Sequence, residues 1–121
     1  MADYFIGTDI VSVVRIKKII QQHSQRFKER TYTPIEIKYC DSKAAPPIHY
    51  AGRFAAKEAI KKALLSSGVV SNIDFAAIKI LPSESGAPEV QLSHPQLDQI
   101  TCKVSISHTD ETAIAFALVR V

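Results

Sequence analysis

The segment spanning residues 49–67 limits the possible folds more than any other part of the sequence. Residues 50–65 read Tyr-Ala-Gly-Arg-Phe-Ala-Ala-Lys-Glu-Ala-Ile-Lys-Lys-Ala-Leu-Leu, a run rich in strong helix formers. Gly68 follows this run and is a residue suited to end a helix. The sequence therefore predicts one long helix, and other segments are expected to pack against it.

The N-terminal half predicts a strand and two further helices. Residues 4–14 are rich in β-branched side chains, which favours a strand, and Asp9 lies in its middle. In residues 13–30, apolar side chains recur at helical spacing between basic ones, which indicates an amphipathic helix with a basic face. Residues 33–36, Thr-Pro-Ile-Glu, are typical of a helix start with a capping box, and this second helix is short.

The C-terminal half predicts two β-hairpins. Strands are expected at residues 75–81, 90–92, 103–109 and 112–120, and a short helix at residues 95–100. The order of strand, helices and hairpins predicts an α+β fold, in which an antiparallel sheet packs against one long and several shorter helices. Residues 1–121 are expected to form a single domain.

The composition argues against several classes of protein. With 46% hydrophobic and 22% charged residues the chain resembles an ordinary globular protein, and its net charge of +3 does not imply a nucleic-acid partner. No apolar stretch approaches the ~20 residues needed to cross a bilayer, and the N-terminus lacks the pattern of a signal peptide. Cys40 and Cys102 are expected to be reduced thiols, so we expect a cytoplasmic protein.

Two charged side chains fall within an otherwise apolar stripe of the long helix. The stripe consists of Ala51, Phe54, Ala55, Glu58, Lys62 and Leu65. One interpretation is a surface pair of Glu58 and Lys62, which would support a helix by ~0.2–0.5 kcal/mol. The polar face carries Arg53, Lys57 and Lys61, which are either solvated or in contact with phosphate groups.

Asp9 and Glu58 are carboxylates without an evident local structural role. Asp is disfavoured in strands, and by alternation Asp9 shares a face with Phe5, Gly7 and Val11. Paired oxygen ligands, completed by substrate phosphate and water, are the usual way a protein holds magnesium. Both residues are therefore candidate Mg²⁺ ligands, although an Asp within a strand is more often an edge or turn residue.

Residues 104–109, Val-Ser-Ile-Ser-His-Thr, alternate cleanly between two faces, with Ser105 and Ser107 on one and His108 on the other. A single His at a strand end is more often structural than catalytic. Ser107 is not a typical hydrolase nucleophile, because the Gly-x-Ser-x-Gly frame is absent. The sequence also lacks a phosphate-binding Walker loop, a dinucleotide-binding fingerprint and a zinc motif.

Three blocks resemble the bacterial-type holo-(acyl-carrier-protein) synthases, the small single-domain phosphopantetheinyl transferases. These blocks are residues 6–11, residues 51–59 and residues 104–109, in the family's order and spanning nearly the whole chain. The second block, Ala-Gly-Arg-Phe-Ala-Ala-Lys-Glu-Ala, is long and specific. The chain departs from many relatives at residues 64–68, where they have a glycine-rich turn, and in a short segment at residues 40–50.

The resemblance implies roles for individual residues and the transferase fold of that family. Asp9 and Glu58 would bind Mg²⁺ on the diphosphate of coenzyme A. The chemistry of such a transfer, rather than the resemblance, makes Glu58 and Lys62 catalytic candidates: Glu58 or a metal-bound water would accept the serine proton, and Lys62 would stabilise or protonate the leaving phosphate. The residues implied to contact the coenzyme are Arg53, Lys57, Lys62 and His108, with Arg53 at the nucleotide end.

The resemblance also implies partners. Members of the family move 4′-phosphopantetheine from coenzyme A to a serine of apo acyl carrier protein, which supports fatty acid biosynthesis, and they form homotrimers with shared active sites. The basic first helix, which grips the acidic carrier, corresponds to Arg15, Lys18 and Arg26. Neither nucleic acid nor a membrane is an expected partner.

Two other functions remain open from the residues alone. The chain could be a non-catalytic module that binds an acidic protein through residues 15–30, and it would then have no need of Asp9 or Glu58. It could also be a different metal-dependent phosphoester enzyme built on the same carboxylates, which would turn over coenzyme A or a nucleotide without a carrier protein.

Overall fold

The computed structural model describes residues 2–121 and contains five strands and three helices in that range. In chain order they are β1 (Tyr4–Ser12), α1 (Val13–Thr31), α2 (Pro34–Asp41), α3 (Pro46–Ser67), β2 (Ile78–Pro82), β3 (Pro88–Leu92), β4 (Thr101–His108) and β5 (Thr112–Arg120). The predicted α+β class is confirmed. Two details differ: residues 75–77 form a 3₁₀ turn before β2 begins, and the expected short helix is reduced to the single turn Pro95–Leu97.

The strands form two antiparallel sheets, a three-stranded sheet in the order β1-β5-β4 and the hairpin of β2 and β3. In the larger sheet Asp9 lies opposite Ala115, and Ala115 lies opposite Ile106 on the other side of β5. The alternation predicted for β1 is confirmed, because Gly7 and Val11 are buried on the same face as Asp9. This inner face is the one that α3 covers.

Local signals explain where the helices begin and end. Ser12 caps α1 by accepting a bond from the Arg15 amide at 3.2 Å, and α1 bends at His23, whose φ and ψ are −137° and 36°. The predicted capping box of α2 is present. Helix α3 begins at Pro46, three residues earlier than expected, and ends at Gly68 with a φ of +76°. No helix within residues 2–121 is long and apolar enough to cross a bilayer.

Helix α3 packs on the larger sheet through a layer of small side chains. The fully buried residues of this layer are Ala55, Ala59 and Ala63 of α3 and Ala113, Ala115 and Ala117 of β5. The closest approach is at Gly7, where an added Cβ would overlap the carbonyl oxygen of Ala59 and lie 2.9 Å from the amide nitrogen of Ala63. Any side chain at residue 7 would therefore push the helix away from the sheet.

The outer face of the larger sheet is apolar and uncovered in the single chain. Five large apolar side chains on this face are between 46% and 69% exposed, namely those of Tyr4, Ile6, Ile10, Ile114 and Phe116. The strand register places Ile10 beside Ile114 and Thr8 beside Phe116, so these side chains form a continuous surface. Contiguous apolar patches of this kind usually mark an interaction surface.

We predict that Gly7→Ala lowers the free energy of unfolding by about 1–3 kcal/mol or more, because the extra methyl overpacks the contact with α3. Gln91→Ala, at an exposed position of β3 outside the larger sheet, is the control and should change stability by less than about 0.5 kcal/mol. Denaturant unfolding of both variants at equal protein concentration measures the effect. A Gly7→Ala protein as stable as the control would contradict the described contact.

Candidate active site

A cavity of about 320 Å³ lies where β1, α1 and α3 meet, and both candidate metal ligands line it. Its lining residues are Asp9, Ile10, Val11, Ser12, Arg15, Ile16, Ile19, Phe27, Phe54 and Glu58. Asp9 comes from the inner face of β1 and Glu58 from α3, one turn after Phe54. We call this space the carboxylate cavity. The structure thus brings together two residues that lie far apart in the sequence.

Lys62 adjoins this cavity and is bonded to β1. Its ammonium donates to the carbonyl oxygen of Thr8 at 3.0 Å and to Oδ1 of Asp9 at 3.3 Å. Within residues 2–121 no ion pair joins Lys62 to Glu58, so the interpretation as a helical surface pair is wrong. Because the Lys62 side chain is about half exposed, its ammonium is accessible to solvent while it is paired with Asp9.

The donor set of the carboxylate cavity fits magnesium. Asp9 and Glu58 offer carboxylate oxygens, which are the ligands this ion prefers, and Mg²⁺ is commonly held by one or two carboxylates plus substrate phosphates and water. Among the residues that the structure describes, no group of three or more His, Cys, Asp or Glu side chains could hold a metal by itself. A magnesium ion here would therefore need water or substrate phosphate oxygens to complete its coordination.

Lys57 has a different position from the one the sequence predicted. Its side chain is fully buried, and its ammonium donates to Oε1 of Glu36 at 2.7 Å and to the carbonyl oxygen of Phe75 at 3.0 Å. Burial lowers the pKa of Lys57, and the neighbouring Glu36 carboxylate offsets part of that effect. Neither alternative for this helix face, a solvated face or a phosphate contact, describes Lys57, because its ammonium already has protein acceptors and no access to solvent.

Arg53 is also buried, at 7% exposure. It belongs to a second group of side chains, which we call the arginine group and which consists of Tyr39, Lys43, His49 and Arg53. Its guanidinium stacks 4.1 Å from the ring centroid of Tyr39, and its Nε has no hydrogen-bond partner within the described residues. The ring of His49, another member, lies 6.0 Å from that of Tyr39 and 6.4 Å from that of His108. Arg53 and His108, two predicted coenzyme contacts, thus both lie near His49, but neither lines the carboxylate cavity.

Tyr39, His49 and Lys43 are members of this arginine group that sequence reasoning missed. The Lys43 ammonium lies 4.6 Å from the centroid of the Tyr39 ring. Burial, with additional repulsion from Arg53, Lys43 and His108, lowers the pKa of His49. A local pattern does not predict this cluster, because it forms only when α2 and α3 pack together.

A larger cavity of about 550 Å³ adjoins the carboxylate cavity and shares three of its apolar side chains, Ile19, Phe27 and Phe54. Its other lining residues are His23, Arg26, Arg30, Thr31 and Phe75. We call it the aromatic cavity, because Phe54 contacts Phe27 and Phe75 at centroid distances of 6.1 and 5.7 Å. Of the predicted partner-binding residues, Arg26 lines this cavity, Arg15 lines the carboxylate cavity, and Lys18 is exposed and lines neither.

Comparison with known proteins identifies the family. Residues 5–117 match the model of the 4′-phosphopantetheinyl transferase superfamily. The chain belongs to this family. It is 42% identical over 115 residues to the holo-[acyl-carrier-protein] synthase of Chlorobaculum parvum, covering 95% of this chain and 97% of that protein. Relatives of the same name from Ruminiclostridium cellulolyticum and Chlamydia caviae are 39% and 42% identical, each across at least 92% of both chains.

Solved structures agree with this assignment. The Helicobacter pylori holo-[acyl-carrier-protein] synthase in complex with coenzyme A is 37% identical with a TM-score of 0.78, over 94% of this chain and 98% of that one. The Chronobacterium ammoniagenes ACPS–CoA complex is 26% identical with a TM-score of 0.84, over 98% and 97%. The family and the fold predicted from the sequence are confirmed, and the chain is an enzyme of the holo-[acyl-carrier-protein] synthase type.

We predict that His49 titrates below its ordinary pKa of 6.5, because burial and the nearby cations disfavour its charged form. Removing the cation in Arg53→Met should raise the pKa of His49 but leave it below 6.5, since burial is the larger cause. The exposed Arg120 lies at the far end of β5, so Arg120→Met is the control and should leave the value unchanged. Proton NMR titration of the imidazole signals measures the pKa of His49 in the wild type and in both variants. An unchanged pKa in Arg53→Met would contradict the described cluster.

Proposed function

We propose that the enzyme transfers the 4′-phosphopantetheine group of coenzyme A to a serine hydroxyl of an apo acyl carrier protein. The products are the holo carrier and adenosine 3′,5′-bisphosphate. The observation that carries this proposal is the carboxylate cavity, in which Asp9 and Glu58 converge beside Lys62 and next to a second cavity with a basic rim. Relatives whose names specify this activity, and structures of such relatives with coenzyme A, support it.

The reaction needs no nucleophile from the enzyme. The carrier serine Oγ attacks the β-phosphorus of coenzyme A, and the bond from that phosphorus to the oxygen bridging to the α-phosphate breaks. The serine proton must be accepted, and the bisphosphate takes the bonding electrons with it. The enzyme must therefore hold the diphosphate in line with the serine and compensate the charge that develops on the leaving oxygen.

The side chains around the carboxylate cavity match these tasks. Glu58 is our candidate to accept the serine proton, since it lies in the cavity on a rigid helix. Lys62, which already donates to Asp9 and Thr8, can turn its exposed ammonium to the leaving phosphate and stabilise it. Magnesium held by Asp9, Glu58 and the diphosphate would supply Lewis-acid neutralisation of the phosphate charge.

The arginine group is proposed to hold the nucleotide end of coenzyme A. Arg53 has an unsatisfied buried Nε, and an unpaired donor of this kind is costly unless a ligand acceptor completes it. A guanidinium also offers a planar set of donors that fits phosphate oxygens. The ring of His108 lies 6.4 Å from that of His49 and would adjoin the bound nucleotide, while Lys57, being buried in an ion pair, is not part of this proposal.

The acyl carrier protein is proposed to bind over α1. The aromatic cavity has an apolar floor and Arg26 and Arg30 at its rim, a combination that fits an acidic partner with an apolar side chain to insert. Because this cavity shares a wall with the carboxylate cavity, a carrier bound there would have its serine close to the diphosphate. The holo carrier so formed would serve fatty acid biosynthesis.

A homotrimer with shared active sites is proposed as the working form. The apolar face of β1 and β5 is exposed in the single chain, and in the proposed trimer neighbouring copies would cover it. In one chain the arginine group and the carboxylate cavity are separate. Assembly would bring the Arg53 and His108 of one chain to the Asp9 and Glu58 of its neighbour, so that each active site contains residues of two chains.

The first test is transfer itself. The protein is incubated with coenzyme A, magnesium and apo acyl carrier protein, and the carrier is weighed by mass spectrometry. We expect a mass gain of one phosphopantetheine. No gain with intact coenzyme A would favour a binding module, and loss of coenzyme A without a carrier would favour another phosphoester enzyme.

In the same assay Asp9→Asn and Glu58→Gln should each lower the transfer rate at least about 10²–10³-fold, because each replaces a charged carboxylate by a neutral amide of similar shape. Glu84→Gln, which changes an exposed residue of the β2–β3 turn in the same way, is the control and should keep full activity. If either cavity variant transfers phosphopantetheine at the control rate, the metal and catalytic assignments are wrong.

A complementation experiment tests the shared active site. Asp9→Asn and Arg53→Met should each be nearly inactive alone, whereas a mixture unfolded and refolded together should regain about one quarter of wild-type activity, because random assembly gives one interface in four a complete set of residues. Asp9→Asn mixed with Glu58→Gln is the control, since both defects fall in the same half-site. Should the first mixture remain as inactive as the control, the active site lies within one chain.

A further inference from the structure

The ion pair of Lys57 and Glu36 has no role in the proposed chemistry. Both side chains are fully buried, and of the ion pairs within the described residues it alone has this property. Two charges removed from water are costly, and a well-packed apolar pair of similar volume is often equally stable. A buried pair of this kind is therefore weak evidence for a stabilising role. Its effect on the position of the backbone groups to which it is hydrogen-bonded is the more informative feature.

Glu36 fixes two backbone segments besides binding Lys57. Its Oε1 accepts from the Thr33 amide at 2.8 Å, and its Oε2 accepts from the Ile80 amide at 2.8 Å. The first bond closes the capping box of α2, and the second reaches β2, which is 44 residues away in the chain. One carboxylate thus ties the start of α2 to the middle of β2.

Lys57 extends this connection to the aromatic cavity. Its ammonium donates to the carbonyl oxygen of Phe75 at 3.0 Å, in the 3₁₀ turn before β2. The Phe75 ring meets Phe54 edge-on, with ring centroids 5.7 Å apart at 74°, and lines the aromatic cavity. Phe54 lies one turn before Glu58 and lines both cavities. The bond from Lys57 therefore fixes the main chain that carries the Phe75 ring.

We propose that the Lys57–Glu36 pair is a positioning element for carrier recognition, which holds Phe75 at the distance from Phe54 that the apolar side chain of the carrier requires. This inference deepens the proposed function and rests on it, since it assigns the aromatic cavity to the acyl carrier protein. Lys57 acts through Phe75 and touches neither substrate. Loss of the pair should thus weaken carrier binding and leave coenzyme A binding unaffected.

The test is the neutral double variant Lys57→Met/Glu36→Gln, which removes both charges at once and leaves no buried ion unpaired. We expect the KM for the carrier, and its Kd by calorimetry, to rise about tenfold, while kcat and the KM for coenzyme A stay within about twofold, because Asp9, Glu58 and Lys62 are untouched. Lys79→Met/Glu89→Gln in the β2–β3 hairpin makes the same chemical change outside both cavities and is the control.

A double-mutant cycle distinguishes positioning from general loosening. Phe75→Ala should raise the carrier KM in the wild type but add little in the neutral-pair background, because both changes remove the same wall. Additive effects, an equal rise in KM for both substrates, or a neutral pair that does not fold would each overturn the inference. If the wild type lacks transfer activity, the proposed function fails instead, and the calorimetric Kd of the carrier still decides whether the pair positions the cavity.

Discussion

The contact between β1 and α3 at Gly7 is the constraint on which the candidate active site depends. Ala59, whose carbonyl oxygen lies against Gly7, is the residue after Glu58, and Asp9 is two residues from Gly7 on the same face of β1. The approach of helix to sheet at this point therefore also sets the separation of the two carboxylates. A site for a shared cation needs this accuracy, because magnesium tolerates little deviation in its ligand distances.

Helix α3 serves several parts of the molecule with different faces. One face packs on the sheet through Ala55, Ala59 and Ala63, and another supplies Phe54 and Glu58 to the two cavities. Lys57 points into the interior toward Glu36. Because these side chains share one helix, helical geometry keeps the two cavities at a constant spacing from each other and from the sheet.

Much of the fold is readable from local patterns, since its determinants are local. The capping box at Thr33, the stop at Gly68 and the alternation around Asp9 each depend on a few neighbouring residues. The surroundings of Arg53 and Lys57 are not readable in this way. The partner of Lys57 lies 21 residues away, and α3 is buried on nearly all sides, so charged residues at helical spacing do not reveal which face meets solvent.

The candidate site was accessible to sequence reasoning only in part. Asp9 and Glu58 could be singled out because each is costly where it stands, an acid within a strand and an acid within an apolar stripe. Lys62 could be placed near Glu58, but its bonds to Thr8 and Asp9 depend on tertiary packing. The cluster around Tyr39 and the aromatic cavity likewise exist only once separate helices meet, and no residue in them is unusual for its own segment.

The layer of alanines between α3 and the sheet also limits how the enzyme can change. A methyl group has no side-chain torsion that moves a heavy atom, so this layer has no alternative rotamers through which the helix could shift. Substitutions at the rims of the two cavities, including those along α1, leave this layer untouched. The interior that holds Asp9 and Glu58 in place is thus inflexible, whereas the exposed rims of the cavities can vary without moving it.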